Sequence, residues 1–269
     1  MSGPVITFLT DYGLDDHFVG VCHGVIARIC PDARVIDLTH GIARHDVRAG
    51  ALALAAAVSF CPVGVHLAVV DPEVGGRRRG VALGTADGSR FVGPDNGILM
   101  AAAERCGGVV ESVEISRSPF RLEPVSATFH GRDVFAPVAA HLAAGAELAA
   151  AGTPHDPATL IVLELPTSRT EEGVIVAHAV YVDRFGNVGL NVSHESLGEA
   201  GLKLGHRVRL ECYGESHEAQ FARTFADVAP GELLVYEDAE RRLAIALSSG
   251  DAATELGVRA GDELRVSPA

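Results

Sequence analysis

The sequence predicts an α/β domain with a mainly parallel sheet, followed by a small antiparallel β-barrel. Three observations support this. Short apolar runs alternate with helical patterns through the first half of the chain. The helical signal largely vanishes beyond about residue 165, where strand patterns take over. Among the later strands, His206 to Glu211 shows the in–out alternation of a half-exposed antiparallel strand, whereas early runs such as Val5 to Leu9 read as apolar strands of a sheet covered on both faces.

Val5 to Leu9 is the first buried strand. Phe18 to Cys30 follows as a helix, with Val19, Cys22, Val25, Ile26 and Ile29 on its apolar face. Arg34 to Leu38 is the second strand. Asp46 is placed to cap a long Ala-rich helix from Val47 to Phe60. His66 to Val70 is the third strand. Gly80 to Gly84, a helix near Gly97 to Arg105, a strand near Val109 to Ile115 and a helix from Val134 to Ala150 complete the first half. The turn-rich stretch from Ala149 to Pro157 leads to a domain boundary near residue 165, giving domains 1–165 and 166–269. Beyond it, Val174 to Val182, His206 to Cys212, Leu233 to Tyr236, Leu243 to Leu247 and Glu263 to Val266 read as strands.

A chain of 269 residues with 48% apolar and 21% charged residues buries a sizeable core and is not disordered. Its net charge of −13 argues against nucleic-acid binding by phosphate neutralisation. No apolar run is long enough to span a bilayer, so no membrane association is expected. The first residues carry no secretory signal pattern, and the five cysteines form no C-x-x-C pair. A reducing cytoplasm is the expected location.

In open α/β sheets, ligands bind beyond the carboxyl ends of the strands. There the sequence places Asp11 to His17, Asp71 to Arg78 and, near the last helix, Thr128 to Asp133. In the barrel half a strand runs into Asp183-Arg184-Phe185-Gly186-Asn187. Each group alone has an ordinary explanation. Asp11 and Asp71 suit turns, Arg77 to Arg79 a solvated loop, Asp15 and Asp16 a helix start, and Asp183 to Asn187 a β-turn. Their coincidence at one sheet edge points instead to a site. There is no G-x-G-x-x-G, Walker or G-x-S-x-G motif. His40, His45 and His66 match no defensible metal-ligand spacing, so a metal-dependent hydrolase is a minority reading.

Five segments carry a family resemblance: Thr10 to Asp16, Val70 to Gly75, Gly93 to Gly97, Thr128 to Asp133 and Asp183 to Asn187. Together they resemble the S-adenosylmethionine (SAM) hydrolases, also called hydroxide adenosyltransferases, which are relatives of the fluorinase and chlorinase. The resemblance runs in order from Val5 to about Asp262. It implies a Rossmann-like N-terminal α/β domain, a C-terminal antiparallel β-barrel, and homotrimers with substrate sites at subunit interfaces. It implies that SAM is the substrate and that neither cofactor nor metal is required. By the resemblance, Asp71, Arg78 and His130 activate water. Asp11 meets the ribose hydroxyls, and Asp15 and Asp16 lie near the methionine end. Gly131 lies beside the reacting carbon. Asp183 meets the methionine ammonium, while Phe185 and Asn187 contact adenine. The chain departs from the family at Glu73, where glycine is usual, and around Ala239-Glu240, where small hydroxyl residues are common.

The implied step is in-line attack of water at the ribose C5′ carbon, with methionine leaving as a neutral thioether. The sulfonium needs no general acid, so the demand falls on the nucleophile. Asp71 would orient the water or accept its proton; His130 would accept or relay. Arg78 stays protonated and can only stabilise negative charge. General-base help is worth about 10²–10⁴-fold. Two alternatives compete. Halogenation by the same fold is disfavoured because a carboxylate about 4 Å from a halide repels it by roughly 4 kcal/mol at an effective dielectric near 20. Halogenating relatives carry tyrosine at the position of Asp71. The second alternative is a non-catalytic binder of adenosine or SAM.

Overall fold

Residues 3–164 and 166–269 are described by the computed structural model. They fall into two compact units, one up to Leu163 and one from Glu164. Residue 165, where the sequence sets the domain boundary, lies outside the described residues.

The first unit begins β1 (Val5–Thr10), α1 (Phe18–Ile29), β2 (Arg34–Thr39), α2 (Val47–Val58) and β3 (Val65–Val69). It continues β4 (Gly80–Thr85), β5 (Arg90–Pro94), α3 (Met100–Arg105), β6 (Val109–Glu114), α4 (Ala136–Ala143) and β7 (Thr153–His155). Its sheet order is β2-β1-β3-β5-β4-β6-β7. β2, β1, β3 and β5 pair in parallel. β4 runs antiparallel to both β5 and β6, so β6 shares the direction of the parallel strands, while β7 runs against it. The sheet is thus mostly parallel, as the apolar runs predict.

Helices cover both faces. α1 and α4 pack with Ile6, Phe8, Leu67 and Val69 on one face. α2 and α3 pack with Leu9, Ala68, Val70 and Leu83 on the other. Asp46 caps α2 as expected, accepting the Ala49 N–H at 2.9 Å. Asp15 and Asp16 do not cap α1; His17 occupies the cap position and makes no side-chain cap bond. The last long helix is interrupted. A π-helical turn, Gly131–Phe135, feeds α4, which ends at Ala143 rather than Ala150. β5 and β7 are absent from the sequence reading. β5 is short, partly Gly-Pro, and carries little strand signal of its own.

The second unit contains β8 (Arg169–Glu171), β9 (Val174–Val182), β10 (Val188–Ser193), α5 (His194–Glu199), β11 (Arg207–Cys212) and β12 (Glu215–Phe221). It ends with β13 (Leu233–Glu237), β14 (Arg242–Leu247), α6 (Ala252–Leu256) and β15 (Glu263–Pro268). The ring β10-β14-β13-β12-β11-β15-β9 closes through the β9–β10 pairing into a seven-stranded barrel, with β8 outside it. One pair departs from the antiparallel expectation. β12 and β13 run parallel over Gln220↔Leu234 and Phe221↔Val235, joined by a long connection from Phe221 to Leu233 instead of a hairpin turn. Among the described residues no helix is long and apolar enough to cross a membrane.

Candidate active site

Parallel strands deliver their carboxyl ends to one edge, and β1 and β3 are neighbours there. Asp11 follows β1, and Asp71 follows β3 by two residues. β4 runs the other way, with Gly80 paired to Pro94 at the end of β5. Arg78, two residues before β4, therefore emerges at the same edge. A tight turn closes the loop between Asp71 and Arg78, with Val74 N–H donating to Asp71 O at 3.3 Å and Gly76 N–H to Glu73 O at 2.9 Å. Gly75 has φ +77°, and a Cβ there would stand 2.3 Å from Ala127 O, so glycine alone permits this path. The same contact lays the loop beside the segment that carries His130.

The three side chains named from the sequence converge, and Arg78 is their hub. Arg78 Nε donates to Asp71 Oδ1 at 2.8 Å, and its Nη2 pairs with Asp71 Oδ2. Nη2 also donates to His130 Nδ1 at 2.9 Å. The guanidinium carbon lies 5.1 Å from the centroid of the buried Phe135 ring. The Arg78 and Asp71 side chains are 4% and 6% exposed, so this pair is withdrawn from solvent. Guanidinium has no lone pair to offer, so His130 Nδ1 must accept, and the neutral ring carries its proton on Nε2. Burial, and then the Arg78 charge, hold this imidazole below the ordinary histidine range.

His130 is held by its own loop. Buried Asp133 accepts the Ser126 N–H at 2.8 Å and pairs with Arg132 at 2.6 Å, while its backbone carbonyl receives Leu122 N–H at 2.7 Å. Gly131 lies under Tyr12. A Cβ on Gly131 would stand 2.0 Å from the Tyr12 hydroxyl oxygen. Burial raises the Tyr12 phenol well above its ordinary value, so it stays neutral.

A cavity of about 520 Å³ opens at this edge. Asp11, Asp16, Asp71, His130 and Gly131 line it together with Tyr12, Phe18, Arg44, His45 and Phe129. Tyr12, Phe18 and Phe129 meet edge to face, with centroids 5.2–6.0 Å apart, and form an apolar wall. Asp11 Oδ2 accepts the backbone N–H of His45 at 2.9 Å. That bond holds His45 at φ +66°, a strained value for a residue with a Cβ. Asp15 is exposed and does not line the cavity. Of these lining residues, Tyr12 and Phe129 lie within the quoted motifs and Phe18 just beyond one; Arg44 and His45 lie in none of them, and the sequence offers His45 only as a possible metal ligand.

The arginine cluster divides its labour. Arg77 is exposed, Arg78 enters the site, and Arg79 pairs with buried Asp95 at 2.7 and 2.9 Å. Asn96 Nδ2 donates to Val70 O at 2.8 Å, tying the end of β5 to that of β3. The solvated-loop explanation thus holds for Arg77 alone. Among the described residues, His40, His45 and His66 do not meet in one ligand cluster. His66 bonds Thr7 Oγ1 at 2.9 Å inside the sheet, and burial lowers its pKa to about 4.

Asp183, Phe185 and Asn187 belong to the second unit. There the Asp183 carboxylate organises its own turn. It accepts the N–H groups of Phe185 and Asn187 at 2.8 and 2.9 Å and the Asn187 side-chain amide at 2.8 Å. Phe185 is 69% exposed.

Comparisons with known proteins agree along the whole chain. Residues 6–152 match the SAM hydroxide adenosyltransferase N-terminal domain, and residues 177–265 match the C-terminal domain of the same family. The chain is 50% identical over 264 residues to the (R)-S-adenosyl-L-methionine hydrolase of Salinispora tropica, covering 98% of each. It is 28% identical over 298 residues to a fluorinase of an Actinoplanes species, covering 100% of this chain and 99% of that one. A crystal structure of an uncharacterized conserved protein from Thermotoga maritima superposes with a TM-score of 0.91 at 39% identity, covering 97% of this chain and 99% of that one.

Proposed function

The chain belongs to the SAM hydroxide adenosyltransferase family, and we propose that Asp71, Arg78 and His130 perform its hydrolysis of S-adenosyl-L-methionine to adenosine and L-methionine. The observation that carries this assignment is the buried guanidinium that holds a carboxylate and an imidazole together at the mouth of a cavity.

Water bound beside Asp71 attacks C5′ in line with the sulfonium sulfur. The C5′–S bond breaks, and its electron pair stays on methionine as the thioether. Asp71 takes the proton. His130 presents its Nε2–H and so positions the water by donating to it; the pairing of Nδ1 with Arg78 leaves no lone pair for proton uptake, unlike the acceptor role the sequence also allowed. Arg78 is the positioning residue for both. Asp11, Asp16 and Gly131, which line the cavity, serve the ribose and methionine ends; Asp15 lies outside that lining. No cofactor enters this scheme, because the substrate already carries its leaving group. Halide in place of water would face the Asp71 carboxylate, a repulsion of roughly 4 kcal/mol at 4 Å and an effective dielectric near 20.

The assembly we propose is a homotrimer in which the Asp183–Asn187 turn of a neighbouring subunit completes the site. The exposed Phe185 ring, with the Arg184 guanidinium 5.7 Å from its centroid, offers its other face to adenine. A cytoplasmic location fits the use of an intracellular substrate.

Purified protein incubated with SAM and chloride should release adenosine and methionine in equal amounts. Release of 5′-chloro-5′-deoxyadenosine would favour halogenation, and binding without release would favour a sensor.

A further inference from the structure

Away from the cavity, His23 of α1, Asp37 of β2 and His40 just beyond it meet in one cluster. One potential ligand atom from each lies within 4.8 Å of the others. His23 Nε2 and His40 Nε2 stand 2.9 and 3.0 Å from the same oxygen, Asp37 Oδ1. Regular strand alternation would send residues 37 and 40 to opposite faces. A bulge prevents this. Phe8 pairs with Asp37 but Leu9 pairs with Thr39, so Leu38 is an extra residue that re-phases the strand.

The cluster is short of a partner. The His40 side chain is 3% exposed, and its Nδ1 bonds Thr10 Oγ1 at 2.8 Å. Its Nε2 is buried and has no hydrogen-bond partner among the described residues, although Asp37 Oδ1 lies 3.0 Å away. In the tautomer that donates Nδ1–H to Thr10, Nε2 keeps a lone pair beside the Asp37 carboxylate. In that tautomer two electron-rich atoms face each other, an arrangement a cation between them would satisfy.

We propose that His23, Asp37 and His40 bind a divalent transition-metal ion of the zinc class. Two imidazoles and one carboxylate are the donor set such ions favour. At metal–ligand distances of about 2.1 Å, tetrahedral ligands are about 3.4 Å apart, so both nitrogen–oxygen separations, now 2.9 and 3.0 Å, would open by about 0.4–0.5 Å around the ion. Thr10 supplies the outer hydrogen bond that fixes the tautomer and orientation of a ligating histidine. Phe8 lies against both rings, 4.8 Å from His40 and 6.0 Å from His23. Asp37, with its side chain 42% exposed, leaves an entry from solvent. The ion would act as a brace. His40 O accepts the Gly13 N–H at 2.8 Å, and Thr10 Oγ1 accepts that of Tyr12 at 3.1 Å, so the cluster holds both ends of the turn that carries Asp11. No reaction step passes through it.

The test is metal binding by tag-free protein that has been stripped with chelator and titrated with Zn²⁺ or Co²⁺. One ion per chain is expected, with a cobalt d–d absorption band and a zinc-dependent rise in Tm. His23→Gln and Asp37→Asn alter partly exposed side chains, so both should fold by circular dichroism. Each should weaken binding by about tenfold or more. Absence of stoichiometric binding, or equal binding by the folded variants, overturns the proposal. Neither readout depends on SAM turnover, so this site and the hydrolysis assignment stand or fall separately.

Discussion

The two polar clusters that the sequence points to are built in opposite ways. In the first unit, Asp71, Arg78 and His130 come from loops up to 59 positions apart and meet only because β1, β3 and the reversed β4 share an edge. In the barrel unit, Asp183 satisfies its carboxylate within four residues. The first is a product of topology and is buried; the second is a product of local turn chemistry and stays near solvent. Removing a member of the first should therefore disturb chemistry and fold together. Removing Asp183 should disturb little beyond its own contacts.

The largest effect should come from Asp71→Asn, with a loss of about 10²–10⁴-fold in kcat, measured by methionine release. His130→Ala should cost less, since it positions water without taking the proton; an equal or greater loss would move the base to His130. Arg78→Met should add a stability loss of about 3–5 kcal/mol, because a buried carboxylate is left without its partner, read by urea denaturation.

Acid should then separate the units. His66, His130 and His141 are all held below the ordinary histidine range, chiefly by burial, and all lie in the first unit. A depressed histidine is neutral when folded, while the unfolded chain takes up its proton near the ordinary value. Its stabilising contribution is present above that value and is lost as the pH falls toward the folded one. For His66, whose folded value is about 4, the loss amounts to about 3 kcal/mol from pH 6.5 to 4. Hydrogen exchange should show the first unit opening there, and His66→Gln should flatten the slope.

Gly131→Ala should lower stability by about 1–3 kcal/mol through overpacking against Tyr12. Tyr12→Phe in the same chain should restore part of it; no recovery in thermal melts would place the strain elsewhere. The smallest effect is expected for Asp183→Asn, which should raise KM for SAM while leaving adenosine affinity near its original value. Equal losses for both ligands would contradict contact with the methionine ammonium.

Legibility followed the same division. Asp46 and the apolar runs of β1 and β3 were readable because cap chemistry and burial act locally. The Asp183 turn was readable for the same reason. β5 was not, since its strand character comes from insertion between β3 and β4 rather than from its own residues. The strand-end rule brought the segments of Asp71, Arg78 and His130 to one edge, but the choice of these three side chains and their roles was legible only through the family resemblance. No spacing rule announces that the strand after Arg78 runs antiparallel and so starts at the edge where β3 ends. The cavity wall of Tyr12, Phe18 and Phe129 and the pairing of Nδ1 with Arg78 were beyond reach, because both depend on packing between distant segments.

The seclusion of the carboxylate–guanidinium pair reaches into how the protein answers its medium. Two opposite charges locked side by side sum to nearly nothing at a distance, and dissolved ions cannot enter to dim their mutual attraction. The bond-breaking step should therefore run at one pace from dilute buffer to brine, and any change with added electrolyte would report on how the sulfonium arrives rather than on what happens to it afterwards.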